Sequence, residues 1–382
     1  MLVSGSTDYY PYYVVGDLKF QSKFEALIYA KNHNVTNISY HFHDEVFSSY
    51  DWTQEPTESL SELYKQRAQQ LRDQYEYLIL GFSGGADSTN ILKTFIDNNI
   101  HLDEIVVYHS LEGDAGDKDS FYNFETFRVA LPFLTNYLKD KHTKITVIDT
   151  TQATFDYWQY VNKFDFLHYN NFCFSPNNLA RNIIKIQNAE LRQRYNSSKS
   201  VAYITGLDKP IVFYFNGQAF FKFNDCIDTT VSYFLKDKNY HKEIDEFFYW
   251  TPNFPKIVIK QSHVVKRYYD TQDLTKLAQI KPSSLGAAVK HGKTYYMDHQ
   301  FLPSLIYDTW DLNTPSVGKP ISGLVFSQRD TWFFNSATAQ AQTFKSAMKH
   351  FFLNIHPEFV NNSNTMPAVK PILSKPYFIT KA

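Results

Sequence analysis

Between Ser83 and Ser88 the chain reads SGGADS, directly after the apolar run Tyr77–Leu80 and directly before a helix-like pattern. Gly84 and Gly85 let backbone N–H groups approach anionic oxygens, Ser83 and Ser88 add hydroxyl donors, and a following helix would point its positive end at them. Against the phosphate-binding pattern G-x-x-x-x-G-K-[ST], the stretch from Gly81 to Ser88 puts Ala86 in place of the second glycine and Asp87 in place of the lysine. A lysine there grips β- and γ-phosphates; a carboxylate would repel them unless it held Mg²⁺, the usual bridge to phosphate oxygens. The residues therefore point to ATP held through Mg²⁺, with pyrophosphate as the leaving group.

The same residues, after an apolar strand and opening a helix, resemble the SGGxDS loop of the PP-loop, or N-type ATP pyrophosphatase, superfamily, over about residues 60 to 210. That resemblance implies cleavage of ATP between its α- and β-phosphates, adenylation of a carbonyl or carboxyl oxygen, and displacement of AMP by a nucleophile. It implies nucleotide contacts from Phe82, Ser83, Gly84, Gly85, Asp87 and Ser88, and adenine contacts from His109 and Ser110 at the end of the next strand. The run from Thr57 into the loop, with the later VAYITGLDKP, is most similar to the synthetase domain of asparagine synthetase and its β-lactam-forming relatives. Gly206, Asp208 and Lys209 stand where those carry a second acidic loop, so that Asp87 and Asp208 would be the Mg²⁺ ligands. An adenylating enzyme also benefits from a cation that stabilises charge growing at the α-phosphate. Lys209 is the first candidate, with Lys260 and Lys266 as runners-up.

The expected reaction is thus ATP-dependent amide formation from a small-molecule carboxylate, releasing AMP and pyrophosphate. Where that family's glutamine-hydrolysing domain opens on a nucleophilic cysteine, this chain has Leu2. The nitrogen is then expected from ammonia, an amine or a separate amidotransferase. Two alternatives stay open: a PP-loop enzyme that modifies a nucleobase in RNA or DNA, and a nucleotide-binding module without catalysis.

Other chemistry-bearing residues read more plainly. Glu125 and Arg128 are spaced for a solvated ion pair, Arg181 could reach a phosphate, His263 reads as a hydrogen-bonded structural histidine, and Cys173 as buried packing. In HFHDE, His41 and His43 fall on one side of an expected strand with Asp44 and Glu45 following, an acceptable ligand spacing for a transition metal, although no distant further ligand is indicated.

The elements that must position these residues follow from periodicity. EYLILGF, EIVVYHS, KITVIDTT and SVAYIT read as strands separated by helices at STNILKTFIDN, FYNFETFRVALPFLTNYLKD and PNNLARNIIKIQNAELRQRY. Such alternation predicts an α/β fold, a parallel sheet with helices on both faces, and ligands at the strands' carboxyl ends. Before it, Ser59 and Glu62 form a capping-box pattern, with Leu60, Leu63, Ala68 and Leu71 on one helical face. Residues 1–50 read as a small α/β appendage, with YYVVGDLKF as strand and turn and a second capping-box pattern at Ser22 and Glu25. Residues 51–210 read as the nucleotide domain. Residues 211–382 read as a hairpin-rich α+β region with turns at Asn216-Gly217 and His291-Gly292, an aromatic stretch broken by Pro252 and Pro255, and a late helix near 337–353.

Composition narrows the partners. In 382 residues, 38 Lys and Arg against 39 Asp and Glu leave a net charge of −1, so no overall basic field favours nucleic acid, despite 17% aromatic content that could stack bases. Two cysteines fit a reducing compartment. With no signal-like start and no run of about 18 apolar residues, a cytoplasmic protein that does not enter the membrane is expected.

Overall fold

A computed structural model describes residues 12–20, 22–109, 123, 125–138, 142–150, 200–206, 209–225, 243–272, 286–290, 293–296, 301–310, 337, 339–362 and 367–381. The chain opens with strands β1 (Tyr13–Val15) and β2 (Leu18–Phe20), helix α1 (Lys23–Asn32) and strand β3 (Ile38–Tyr40), which pair antiparallel in the order β2-β1-β3. Ser22 caps α1 by accepting from the Glu25 N–H. After the short α2 (Asp44–Phe47) comes α3 (Leu60–Gln74), whose Ser59 and Glu62 close both halves of the expected capping box. Leu60, Leu63, Ala68 and Leu71 are buried, as their spacing predicts.

The centre is a five-stranded, all-parallel sheet. It contains β4 (Tyr77–Gly81), β5 (Glu104–His109), β6 (Lys144–Asp149), β7 (Val201–Thr205) and, from further along, β10 (Glu243–Phe247), in the order β10-β7-β4-β5-β6. Alternate side chains divide between its faces. Leu78, Leu80, Ile105, Val107, Ala202 and Ile204 join one core with α3, with α4 (Ala86–Asp97) and with α5 (Leu131–Tyr137). Ile79, Val106, Ile148 and Tyr203 form a separate cluster on the other face. The helix expected over PNNLARNIIKIQNAELRQRY lies outside the described residues. The chain runs from β4 outward to β5 and β6, then returns across β4 to place β7 on its far side. The direction of winding therefore reverses between β4 and β7, the position at which open α/β sheets bind ligands.

The parallel sheet crosses the boundary expected near residue 210. Its strand β10 lies within the region read as hairpin-rich, and pairs with β7 from Glu243↔Val201 to Phe247↔Thr205. Pro255, read as a breaker, instead stands at the N-cap of α6 (Lys256–Thr271), where a fixed φ and a missing N–H cost nothing. The rest of that region forms a mixed sheet, with β8 (Val212–Phe215), β9 (Gln218–Phe221), β11 (Gly286–Lys290), β12 (Lys293–Tyr296) and β15 (Tyr377–Phe378) in the order β12-β11-β8-β9-β15. Asn216 and Gly217, at φ 47° and 79°, make the expected turn between β8 and β9. Helices α7 (Phe301–Ile306) and α8 (Ala339–Leu353) follow, then a second small pair of strands, β13 (Val360–Asn362) and β14 (Pro367–Val369).

The N-terminal segment joins the C-terminal region. Lys23, fully buried on α1, pairs with Asp225 at 2.6 Å and donates to the Lys370 carbonyl at 2.9 Å, while the Tyr13 hydroxyl reaches the same carboxylate at 3.0 Å. Trp52 stacks on Phe221 and Tyr377, and Phe24 packs against Phe351. No helix among the described residues is long and apolar enough to cross a membrane.

Candidate functional site

At the end of β4 the chain has no room for side chains. A Cβ on Gly81 would fall 2.8 Å from the Tyr203 hydroxyl on the neighbouring strand. Phe82 donates its N–H to Val106 O at 2.9 Å and buries its ring beside Phe133, so of the expected nucleotide contacts it can offer backbone only. Gly84 takes φ +79°, and a Cβ there would come within 3.0 Å of Ala130, so both backbone conformation and space require glycine. The two hydroxyls close the loop on itself: Ser83 and Ser88 Oγ lie 3.3 Å apart, the Gly85 N–H donates to Ser83 Oγ at 3.3 Å, and the Ser88 hydroxyl donates to Gly85 O at 3.2 Å. Gly85 is the N-cap of α4 and supplies no side-chain cap. The first turn of that helix is left with backbone donors suited to an anion.

Asp87 stands in this first turn, and its carboxylate is held from the other loop. Lys209 Nζ lies 2.7 Å from both Oδ1 and Oδ2. The loops can come so close because residue 206 is glycine: a Cβ there would sit 2.9 Å from Ile91 Cδ1 and 3.0 Å from Asp87 Cβ. Loop after β4 and loop after β7 thus meet where the strand order reverses, joined by a salt bridge only partly shielded from solvent, with side-chain exposures of 10% for Lys209 and 22% for Asp87.

The remaining contacts to Asp87 come from residues that sequence reasoning missed. The Tyr307 hydroxyl, from just beyond α7, donates to Oδ1 at 2.5 Å, and the Tyr249 hydroxyl, from just beyond β10, donates to the Asp87 carbonyl at 2.8 Å. Asn90 Nδ2 donates to the Tyr249 oxygen at 3.1 Å, and Tyr64 packs edge-on against the Tyr249 ring. Burial, and secondly the negative charge of Asp87, push the phenols of Tyr249 and Tyr307 well above their ordinary range, so both remain neutral donors. No local pattern announces these tyrosines among so many; their role exists only once β10 and α7 have docked.

Two glycine-bearing loops and one carboxylate–ammonium pair are thus brought together, with backbone donors of the kind that suit an anion and a carboxylate of the kind that suits a cation. No protein-family model matches the chain, and no curated protein matches it.

The other expected residues fall elsewhere. Asp208, Ser110, Arg181 and Cys173 lie outside the described residues. His109 ends β5 as expected, but its carbonyl is taken by Thr150, which donates from N at 2.7 Å and Oγ1 at 2.9 Å, and its ring meets Phe127 edge-on. Lys260 does not join the loops: it pairs with Glu55 at 2.7 Å and donates to Pro56 O at 2.9 Å, because α6 turns that face toward the segment leading into α3. Lys266 pairs with Asp270 one turn along the same helix. Glu125 and Arg128 belong to a π-helical turn at Glu125–Ala130, whose wider winding does not stack residues at the α-helical spacing expected of them. His263 is buried, bonded through Nε2 to Trp52 O at 2.9 Å, and burial lowers its pKa. His43 does not lie on a strand: β3 stops at Tyr40, and His43 begins α2 with φ 56° and ψ 39°. Its pKa is lowered by burial and, secondly, by neighbouring His41.

Proposed function

We propose that this chain is an ATP-dependent ligase of the pyrophosphatase type, which adenylates a small-molecule carboxylate, or a carbonyl oxygen, and passes it to a nitrogen nucleophile. The observation that carries the reading is the meeting of Asp87 and Lys209 at the reversal of the parallel sheet, the two charges that Mg²⁺ and a triphosphate would each need. The donor set fits: glycine backbone and the open first turn of α4 suit phosphate oxygens, and a carboxylate suits Mg²⁺. With no ligand, the two charges neutralise each other. When Mg²⁺ and ATP are bound, the metal supplies the charge neutralisation that lets pyrophosphate leave.

In such a complex Lys209 would be available to an anionic oxygen, while Tyr307 and Tyr249 would keep Asp87 in place. The Tyr307 hydroxyl on the carboxylate and the Tyr249 hydroxyl on the main-chain carbonyl already fix Asp87, so it would need little reorganisation when its cationic partner changes. Lys209 is then placed to stabilise negative charge developing at the α-phosphate.

Incubation with α-labelled ATP, Mg²⁺ and pools of carboxylic acids and amines should give labelled AMP or an acyl-adenylate together with pyrophosphate. ADP and phosphate as the stoichiometric products would refute the reading. AMP formed only when RNA or DNA is supplied would move the acceptor to a nucleobase, and ATP binding without any cleavage would reduce the chain to a binding module.

A further inference from the structure

Far from Asp87 in the sequence, the HFHDE segment folds into a second arrangement with ligand chemistry. Tyr40 and Phe42 point into the core, and His41 lies between them with its ring stacked on Tyr12, centroids 4.8 Å apart and planes 2° from parallel. His43 takes the left-handed backbone conformation, uncommon for a residue with a side chain, and that turn starts α2 so that Glu45 comes back over both rings. The His43 ring meets the His41 ring edge-on at 4.8 Å.

The carboxylate sits between the two imidazoles and pairs with both at more than the usual hydrogen-bond length. His41 Nε2 is 3.5 Å from Glu45 Oε2, and His43 Nδ1 is 3.7 Å from Oε1. A hydrogen-bonded pair would close to about 2.7–3.2 Å. Bonds of about 2.0–2.1 Å to a shared tetrahedral ion would instead set neighbouring donor atoms about 3.4 Å apart. One donor atom from each of the three residues falls within 4.8 Å of the others, near the spacing of a shared ion, and the exposed Glu45 side chain has room to adjust toward it. Among the described residues His41 Nδ1 is buried with no hydrogen-bond partner, and the ring is placed by its stacking on Tyr12, its edge contact with His43 and its pairing with Glu45.

We propose that His41, His43 and Glu45 bind a divalent transition-metal ion of the Zn²⁺ class, with water in the remaining position. Two imidazoles with one carboxylate suit Zn²⁺, Co²⁺ or Ni²⁺ and disfavour Mg²⁺ and Ca²⁺, which take oxygen donors. Packing already fixes both rings, so binding orders mainly one exposed glutamate. The ion would tie the end of β3 to α2. Because Asp44 accepts a hydrogen bond from Tyr377 and Phe47 packs on the same ring, the bound ion would brace the junction between the N-terminal segment and the C-terminal strand β15.

The test uses the full chain, stripped with chelator and free of nucleotide, titrated with Zn²⁺ by calorimetry and with Co²⁺ by visible absorption. One equivalent of Zn²⁺ should bind, Co²⁺ should give a low-coordinate spectrum, and Zn²⁺ should raise the melting temperature. His41→Gln and His43→Asn, the latter keeping a residue that tolerates the left-handed conformation, should each weaken Zn²⁺ binding about 10²-fold or more, and Glu45→Gln about 10-fold. His33→Asn should leave it unchanged. If His43→Asn does not fold, His41→Gln carries the test, since His41 is only part-buried and holds no left-handed backbone conformation. No stoichiometric Zn²⁺ binding, Zn²⁺ affinity undiminished in these variants, or equal competition by Mg²⁺ would overturn the proposal; none of these results bears on ATP cleavage.

Discussion

Two of the ion pairs that tie helices to the parallel sheet differ in how far they are sealed from solvent. Arg67 on α3 and Glu246 on β10 meet at 2.6 Å with exposures of 0% and 1%. Around them, Tyr75 donates to the second carboxylate oxygen at 2.5 Å, and Arg67 also reaches the Phe247 carbonyl at 3.0 Å and Gln70 at 2.8 Å. Lys209 and Asp87 are as close, yet they lie at the carboxyl edge of the sheet, where each charge keeps some access to solvent. In the sealed pair, the loss of either partner strands a charge in low dielectric. In the open one, either partner can be exchanged for water, a metal or a phosphate. The first secures β10 to α3; the second joins the loop after β7 to the first turn of α4.

The contrast is most directly broken by removing one member of each pair. Glu246→Gln should destabilise the protein by about 3–5 kcal/mol, read from urea unfolding, because Arg67 keeps its charge without a counter-ion. Lys209→Met should cost only about 1–2 kcal/mol, since the carboxylate left behind retains the Tyr307 hydroxyl and can hydrate. The same variant should slow AMP formation by about 10²-fold. Equal losses of stability in the two variants would erase the distinction. An Asp87→Asn protein that folds normally and still releases pyrophosphate at full rate would remove the metal role.

A smaller effect is expected where the loops touch. Gly206→Ala places a methyl against Ile91 and Asp87, and should cost about 1–3 kcal/mol while weakening ATP binding, measured by thermal melting and by nucleotide titration. If ATP affinity is unchanged, the close approach of the loops does not shape the nucleotide site.

The smallest effect concerns a region away from both pairs. His263 has its pKa lowered from the ordinary 6.5 by burial, so as pH falls below that value the unfolded chain takes up a proton that the folded chain refuses. Stability should therefore decline as pH drops below 6.5, and His263→Gln should flatten the decline in pH-dependent unfolding measurements. A slope unaffected by the substitution would assign it to other groups, His43 first.

Much of this was legible where the governing physics is local. The Ser59–Glu62 box, the Asn216-Gly217 turn, four of the parallel strands and the strand–loop–helix around Asp87 all depend on residues within a few positions of one another. β10 escaped because EIDEF carries acidic residues that read as solvent-facing, whereas Glu246 is buried against an arginine 179 positions away. α6 escaped because KIVIKQSHVVK is rich in β-branched residues, and its helical state rests on burial of one face rather than on propensity. Lys260 was drawn toward the site by its charge alone, and no local feature discloses that Glu55 already holds it.

By itself the sequence determined that a glycine-bearing loop with an acid at its helical end follows an apolar strand, because backbone freedom, helix capping and apolar alternation are properties of neighbours along the chain. The tertiary structure alone decided that Lys209 faces that acid and that two tyrosines from distant segments, Tyr307 and Tyr249, bond its carboxylate and its main-chain carbonyl. Those relations depend on which strands pair and which helices pack. Pairing and packing are settled by how the whole chain buries its apolar surface, which no short stretch of residues encodes.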